Sequence, residues 1–345
     1  MKYQIFTPTE VKIAVIGGGT GSFTLLSALK NHTSQIAALV NMVDDGGSTG
    51  VLRDELGVLP PGDVRQCLVA LSRTPEVRDL FNYRFDSGSM EGHSFGNIFL
   101  SALEKMNGDF AGGVKVASRV LNIVGTVEPI TLTNTALAAE FGGKVIHGQY
   151  NIEMSDFKGE KPKLWLEPRA EVNLRALAAI EQADVVVIAP GSLYYSLAPA
   201  LIVPGVGEAL AKTQALIIQV CNLNNKPGHT DGFQVVDYAT EIERFIGQPV
   251  IDYVLYNTEK PSRELLKKYA KEGELPVDYK IKDLERQHYR AVGKNLLSSQ
   301  IWQSSAKSDS MAAQRTLIRH DSEMVAQAIL DIYKNWLVSK TNTQK

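Results

Sequence analysis

The chain has 345 residues, of which 44% are hydrophobic and 21% are charged. A globular protein of this length and composition can build one large core or two moderate ones without disulfide bonds. The formal net charge of -2 argues against an electrostatically driven grip on nucleic acid, so we expect no nucleic-acid partner. No apolar run approaches the roughly 18 residues that span a bilayer, and the N-terminus lacks a signal-peptide pattern. We therefore expect no membrane insertion and a cytoplasmic location.

Short apolar runs alternate with amphipathic segments through most of the chain, which predicts an α/β fold with a mostly parallel sheet covered by helices on both faces. The strand candidates are 12–16, 36–43, 185–189, 216–220 and 251–256. The helix candidates are 63–72, 97–106, 114–122, 172–182, 207–212, 231–246 and 321–337. Because the middle runs are almost continuously apolar, we expect them to be buried central strands.

Two stretches interrupt this alternation. Residues 127–166 combine scattered apolar residues with turn residues, which predicts a small β-rich insertion of short antiparallel strands without a helix. Residues 257–317 show a weaker pattern with a charged helix at 263–271, and we interpret them as a C-terminal helical cap or a homo-oligomer contact. Residues 1–11 are interpreted as an N-terminal extension, and 338–345 as a polar, frayed tail.

A glycine-rich turn follows the first predicted strand and precedes a helical pattern. It consists of Gly17, Gly18, Gly19, Thr20 and Gly21. Because these residues carry no bulky side chain, their backbone N–H groups can approach a phosphate closely, and the positive end of the following helix helps to hold it. The full six-residue dinucleotide motif fails at Ser22, so a tight turn without a ligand is the alternative.

Two adjacent aspartates, Asp44 and Asp45, follow the second predicted strand and lead into another glycine-rich loop. A Rossmann fold places its ribose-binding acid at this point. Adjacent carboxylates repel each other, and a Mg²⁺ ion or a ligand hydroxyl relieves that repulsion. An Asx-turn is the alternative, but it requires only one aspartate. We therefore expect at least one of the two to contact a ligand.

Two further loop–helix junctions carry polar residues. Asp63 is placed to cap the helix that follows it, and Arg65 lies in that helix's first turn, where a cation opposes the helix dipole and so indicates an anionic partner. His93 lies in a glycine-flanked loop and is a candidate general acid or base. Asn97 beside it is a candidate for ligand contact, and helix capping by Ser94 and Asn97 is the alternative.

The last candidate loops follow the two strongest apolar strands. Gly191 and Ser192 offer backbone and hydroxyl donors to a phosphate, and the side chain of Asn222 suits a base or a ribose. In an open α/β sheet, the carboxyl ends of the strands line one crevice, so we expect all these loops to converge on a single cleft. Histidines and cysteines show no zinc spacing, so any metal there would be Mg²⁺ held by aspartates.

In this order and spacing, the motifs resemble those of the gluconeogenesis factor family, relatives of 2-phospho-L-lactate transferase. The resemblance runs from about residue 12 to residue 330. It implies a Rossmann-like, doubly wound fold in a single domain, 12–337, and a cleft for a nucleotide-type ligand. Members of this kind are known to bind UDP-sugars, notably UDP-N-acetylglucosamine, and to support cell shape and wall synthesis during gluconeogenic growth, with no established reaction and no required cofactor.

The transferase branch implies a different activity. Its members move a phospholactyl group onto a deazaflavin with Mg²⁺, and Asp44, Asp45 and Asp63 would surround that metal here. The continuation into Gly-Gly-Ser-Thr-Gly resembles the regulatory branch instead, which favours binding over transfer. By the same resemblance, Tyr269 and Arg319 match positions that contact the sugar nucleotide. An NAD-type dinucleotide is a weaker alternative ligand, because no hydride-site constellation is recognisable.

Overall fold

The computed structural model describes residues 11–264, 266–267, 273–298 and 319–343. Its ten strands are β1 (Ile13–Gly17), β2 (Ile36–Val40), β3 (Thr126–Pro129), β4 (Ala136–Phe141), β5 (Lys144–His147), β6 (Lys163–Glu167), β7 (Val185–Ile188), β8 (Leu216–Val220), β9 (Tyr253–Asn257) and β10 (Arg290–Lys294). Seven of them form one sheet in the order β10-β9-β8-β7-β1-β2-β3. All neighbouring pairs in it are parallel.

The helices of the described residues cover both faces of this sheet. They are α1 (Gly19–Leu29), α2 (Gly47–Leu56), α3 (Gly62–Leu71), α4 (Pro75–Asn82), α5 (Phe95–Asn107), α6 (Phe110–Val120), α7 (Gln149–Glu153), α8 (Leu174–Glu181), α9 (Ala198–Leu201), α10 (Val206–Lys212), α11 (Val235–Ile246), α12 (Ile281–Leu284) and α13 (Ser322–Thr343). Alternate residues of β1 enter opposite cores, Ile13 with α1 and α3 and Ile16 with α8 to α11. Two-sided burial explains the continuous apolar strands and confirms the predicted α/β class.

The strand order reverses at β1, which lies between β2 and β7. The five predicted strands are confirmed within a few residues. Two edge strands were not predicted, because β3 and β10 are short and mixed in composition. Assigning residue 127 to the insertion was also wrong, since β3 pairs with β2 in the main sheet.

The β-rich insertion is a separate three-stranded antiparallel sheet in the order β5-β4-β6. The sequence predicted no helix there, yet α7 forms directly after β5. Its five residues are too few to show a helical period, which is why the pattern missed it.

The chain ends in a longer helix than predicted. The helix α13 continues to Thr343, so its predicted end at residue 337 and the frayed tail after it are wrong. Most of the predicted N-terminal extension and a large part of the predicted cap, namely 265, 268–272 and 299–317, lie outside the described residues. Among the described helices, none alone is long and apolar enough to cross a membrane; only a pair bent by 71°, Leu193–Leu201 with Val206–Lys212, passes when joined.

Candidate functional site

Four loops leave the sheet side by side at its carboxyl edge. They follow β1, β2, β7 and β8, which are neighbouring parallel strands. The loops contain the first glycine turn, the two aspartates, Gly191 with Ser192, and Asn222. The predicted convergence of these segments at one edge is confirmed, and the reversal of strand order at β1 puts the β1 and β7 loops at the topological switch point.

The loops after β1 and β7 pack backbone against backbone. A Cβ atom built on Gly21 would lie 1.8 Å from the carbonyl oxygen of Pro190, so only glycine fits there. Gly19 has a φ of +57°, which a residue with a side chain rarely adopts. The glycines of this turn therefore permit both the close approach and the sharp entry into α1.

The loops after β7 and β8 are joined by side-chain hydrogen bonds. The Asn222 amide donates to the Gly191 carbonyl at 2.8 Å, and the Gly191 N–H donates to the Asn222 Oδ1 at 3.3 Å. The Ser192 carbonyl accepts the N–H groups of Ser196 and Leu197. Asn222 therefore orients the Gly191 loop, whatever further contact it makes.

Asp63 lies directly against the first glycine turn. The predicted N-cap role is wrong, because α3 already begins at Gly62 and its cap position is Pro61. Instead, the Asp63 carboxylate accepts hydrogen bonds from the Gly19 N–H and the Asn41 side chain. A Cβ atom on Gly18 would lie 2.3 Å from Asp63 Oδ2. This buried carboxylate thus connects α3 to the β1 and β2 loops.

Asp44 lies against Gly62, where an added Cβ atom would be 2.5 Å from Asp44 Oδ2. Its carboxylate accepts the Gly46 N–H at 3.1 Å and a hydrogen bond from the Thr49 side chain. Burial raises the pKa of Asp44, and the nearby carboxylates of Asp45 and Glu153 raise it further. Burial and then repulsion from Asp44 raise the pKa of Asp63 to about 8. Because burial and mutual repulsion both disfavour the charged forms, ionising the two carboxyl groups together costs more free energy than ionising either one alone.

Asp45 has a different set of partners from Asp44. Its two carboxylate oxygens accept the N–H groups of Gln149 and Tyr150, both at 2.8 Å. The Gln149 side chain in turn accepts the Asp45 N–H at 3.3 Å. Asp45 therefore caps α7 and ties the insertion to the β2 loop. Asp44 therefore has, besides Asp45, a second acidic neighbour in Asp63, which is distant from it in the sequence.

A metal ion at the carboxyl edge of the sheet would have few protein ligands. Within the described ranges, no group of three or more histidine, cysteine or acidic side chains is arranged to hold a metal ion. Asp44 and Asp63 are the two carboxylates placed to contribute, and Asp45 is occupied by α7. Mg²⁺ commonly takes one or two carboxylates and completes its shell with water and ligand phosphate.

A chain of polar contacts extends the site toward α2 and α5. Arg65, buried with 7% exposure, donates from Nε to Asn97 Oδ1 at 3.0 Å and from Nη1 to Asn82 Oδ1 at 2.7 Å. The Asn97 amide donates to Ser48 Oγ at 3.2 Å, and Ser48 Oγ lies 3.0 Å from His93 Nδ1. Arg65, Asn97 and His93 are thus brought together with the β2 loop.

Capping explains part of this polar group. The hydroxyl of Ser94 accepts the Asn97 N–H at 3.2 Å, so the predicted cap of α5 is confirmed for Ser94. Asn97 does not cap the helix with its side chain, which bridges Arg65 and Ser48 instead.

Sequence reasoning missed two polar residues near the loops. Asn41 is 2% exposed, and its Oδ1 has no hydrogen-bond partner among the described residues. Glu153 of α7 accepts the Tyr195 hydroxyl at 3.1 Å and lies 3.7 Å from Lys226 Nζ. Asn41 was hidden inside a predicted strand. Glu153 belongs to an insertion without a recognisable motif, so only the tertiary fold reveals it.

The three other predicted residues are Thr20, Tyr269 and Arg319. The backbone of Thr20 lies in the first turn of α1, and Tyr269 lies outside the described residues. Arg319 accepts the Ser298 N–H at 2.9 Å with its carbonyl. Nε2 of the next residue, His320, lies 3.2 Å from the Cys221 carbonyl oxygen. Because Cys221 directly follows β8, Arg319 is close to the end of that strand.

The parts of the chain that match known proteins include these loops. The family model for 2-phospho-L-lactate transferase CofD matches residues 13–297. The gluconeogenesis factor of Bacillus subtilis is 37% identical over 327 residues, covering 94% of this chain and 98% of the relative. That of Halalkalibacterium halodurans is 38% identical over 324 residues, covering 92% and 95%. A crystal structure of a UPF0052 family member from Bacillus halodurans, 36% identical, superimposes with a TM-score of 0.84 and covers 93% of this chain and 99% of that one.

Proposed function

This chain belongs to the gluconeogenesis factor family and carries a CofD-type domain, and from that premise we propose that it binds a nucleotide sugar as a cytoplasmic regulator. UDP-N-acetylglucosamine is the leading candidate. In this proposal the ligand reports carbon status to the machinery of cell shape and cell-wall synthesis. Binding alone carries the signal, so neither turnover nor a resident cofactor is required.

The observation that carries the proposal is that the β1 and β7 loops meet where the strand order reverses. Both loops contain glycine, and α1 begins at the end of the β1 loop. Free N–H groups at a helix start favour negative charge, and parallel α/β sheets bind phosphorylated ligands at such switch points. The diphosphate of a nucleotide sugar would sit against Gly19 and Gly191 and replace the bonds that their N–H groups make to Asp63 and Asn222.

The buried acids suit the sugar part of such a ligand. Because the raised pKa of Asp63 keeps this carboxyl largely protonated at neutral pH, it can donate a hydrogen bond as well as accept one. Asn41 offers an unpaired acceptor oxygen beside it. A ribose hydroxyl would donate a hydrogen bond to the unpaired Asn41 oxygen. Because a hydroxyl is neutral, it would add no further negative charge beside Asp44.

Calorimetry tests the proposal directly. We expect UDP-N-acetylglucosamine to bind with a micromolar dissociation constant in buffer containing EDTA, without product formation. NAD and GTP serve as competing ligands with the same diphosphate chemistry. Binding of NAD alone, or of none of the three with and without Mg²⁺, would refute the nucleotide-sugar assignment.

A Mg²⁺-dependent phospholactyl-type transferase is the second candidate, and the pairing of Asp44 with Asp63 favours it. In that case the two carboxyls would hold the metal together with phosphate oxygens of the donor. Incubation with Mg²⁺, a guanylylated phospholactyl donor and a deazaflavin acceptor, followed by mass spectrometry, distinguishes the candidates. Product that disappears in Asp44→Asn would establish transfer, and intact donor after long incubation would exclude it.

A further inference from the structure

The sheet has an open edge at β10. The Arg290 N–H donates to the Asp252 carbonyl, and the Lys294 carbonyl accepts the Thr258 N–H, both at 2.9 Å. Since alternate residues of a parallel strand bond to the same neighbour, β9 uses the peptide groups of Arg290, Val292 and Lys294. The peptide groups of Ala291 and Gly293 point away from the sheet. No strand in the described part of the chain pairs with that side.

A recess of about 710 Å³ runs along this edge. Its walls come from α12 on one face of the sheet, with Ile281 and Leu284, and from α13 on the other, with Ala328 and Ile332. Ile281 is 53% exposed, which leaves an apolar side chain beside the free peptide groups. An added strand would therefore place alternate side chains beside α12 on one face of the sheet and beside α13 on the other.

The strand β10 carries two positively charged side chains and no negatively charged one. Arg290 and Lys294 lie on the same face with Val292 between them, and both are exposed. Neither has an ion pair with a carboxylate of the described residues; Arg290 makes only a 3.5 Å contact with the Tyr253 hydroxyl. The recess also contains Glu285 and Asp331, but these belong to the helical walls, and Asp331 already accepts the Gln327 amide.

We propose that β10 docks an extended acidic segment of a partner protein, which adds to the sheet as an eighth strand. Cross-strand pairing rewards opposite charges, so the segment would carry acidic residues opposite Arg290 and Lys294 and an apolar residue opposite Val292. A second copy of this chain fits poorly. Antiparallel self-pairing about Val292 would set Arg290 opposite Lys294 of the other copy, and like charges in that position destabilise a sheet.

A synthetic peptide tests the surface without knowledge of the natural partner. The probe is fluorescein-labelled acetyl-Thr-Glu-Val-Val-Val-Glu-Thr-amide, measured by anisotropy with the whole protein. We expect binding that weakens as salt rises and at least a tenfold loss when all three valines are N-methylated, since in either strand direction this removes N–H groups that face β10. The variant Arg290→Glu/Lys294→Glu should lose the probe at least tenfold and gain the peptide in which lysine replaces both glutamates.

Hydrogen exchange gives the second readout. The amides of Ala291 and Gly293 should exchange rapidly in the free protein and at least tenfold more slowly with the probe, while Val292 stays protected throughout. Circular dichroism confirms that the charge-reversed variant is folded. Three results would overturn the proposal: protection of Ala291 and Gly293 in the dilute free protein, protection that rises only with protein concentration, or equal binding of the probe by wild type and the charge-reversed variant.

Discussion

Asp63 is the residue whose chemistry depends most on its surroundings. It is 9% exposed, and its carboxylate lies close enough to Asp44 for the two charges to repel. Its folded-state pKa of about 8 exceeds the ordinary pKa of 3.8 that applies to an unfolded chain. The folded protein therefore binds a proton that the unfolded chain releases. Stability from this group is fully present below about pH 4 and is lost as pH rises through about 8.

We expect Asp63→Asn to remove most of that pH dependence. The free energy of unfolding of the wild type should fall between pH 5 and pH 9, and the variant should be more stable at pH 9 by about 1–3 kcal/mol. The new amide keeps an acceptor for Gly19 and can donate to the unpaired Asn41 oxygen. Urea unfolding at several pH values measures this. Asp54→Asn, at a surface ion pair, is the control and should keep the wild-type slope.

Gly19 is the second residue with a testable role. We expect Gly19→Ala to weaken nucleotide-sugar binding at least tenfold, because the added methyl group and the altered turn disturb the phosphate-facing N–H groups. Gly57→Ala is a matched control, since Gly57 has a similar φ of +64° with nothing within 4 Å of its Cβ position. Both variants should lose about 1 kcal/mol of stability. Equal affinities for the two variants would remove the β1 turn from the site.

The insertion is the element that most changes the site. Its α7 contacts the β2 loop through Asp45 and the β7 loop through the bond from Tyr195 to Glu153. The segment after α7 contacts the β8 loop, where the Phe157 ring stacks on His229 with 4.4 Å between centroids. The insertion therefore connects three of the four site loops.

We expect Asp45→Ala to loosen this connection. The loss of two charge-assisted hydrogen bonds should cost about 1–2 kcal/mol and speed amide exchange at Gln149 and Tyr150. Asp109→Ala is the control, because Asp109 caps α6 through a 2.6 Å bond to Gly112. It should cost a similar amount of stability and leave ligand affinity unchanged. If ligand affinity is also unchanged in Asp45→Ala, the insertion does not shape the site.

The elements differ in how well the sequence predicts them. Strands such as β7 and β8 are apolar at every position because helices cover both faces, and that pattern is visible in the sequence. The glycine turns and the acids also mark the site in the sequence, because they directly follow predicted strands, and ligands bind at the carboxyl ends of parallel strands. The role of Asp45 was not predictable, because its partners lie 104 and 105 residues away in the chain. The pairing of Asp44 with Asp63 likewise arises only when α3 packs beside β2.

At the scale of the whole molecule, a ligand at the switch point would contact loops from both halves of the sheet. We expect UDP-N-acetylglucosamine at about 100 times its dissociation constant to stabilise the folded state by about 2.7 kcal/mol. Differential scanning calorimetry should show a rise of several degrees in Tm. The rise should fall to about half or less in Gly19→Ala at the same concentration, because a tenfold weaker affinity leaves about 1.4 kcal/mol of stabilisation, and it should be undiminished in Gly57→Ala. An unchanged wild-type Tm at saturating ligand would contradict the assignment.

The close packing of Gly21 against Pro190 also limits how this protein can move. These two loops touch through their main chains, and their strands are neighbours in the middle of the sheet. Separating the two loops would break the hydrogen bonds between β1 and β7, so the molecule cannot open by a hinge motion between these strands. Any ligand must therefore bind without separation of these two loops, and the insertion, which side-chain contacts join to the β2, β7 and β8 loops, is the element that can shift on binding.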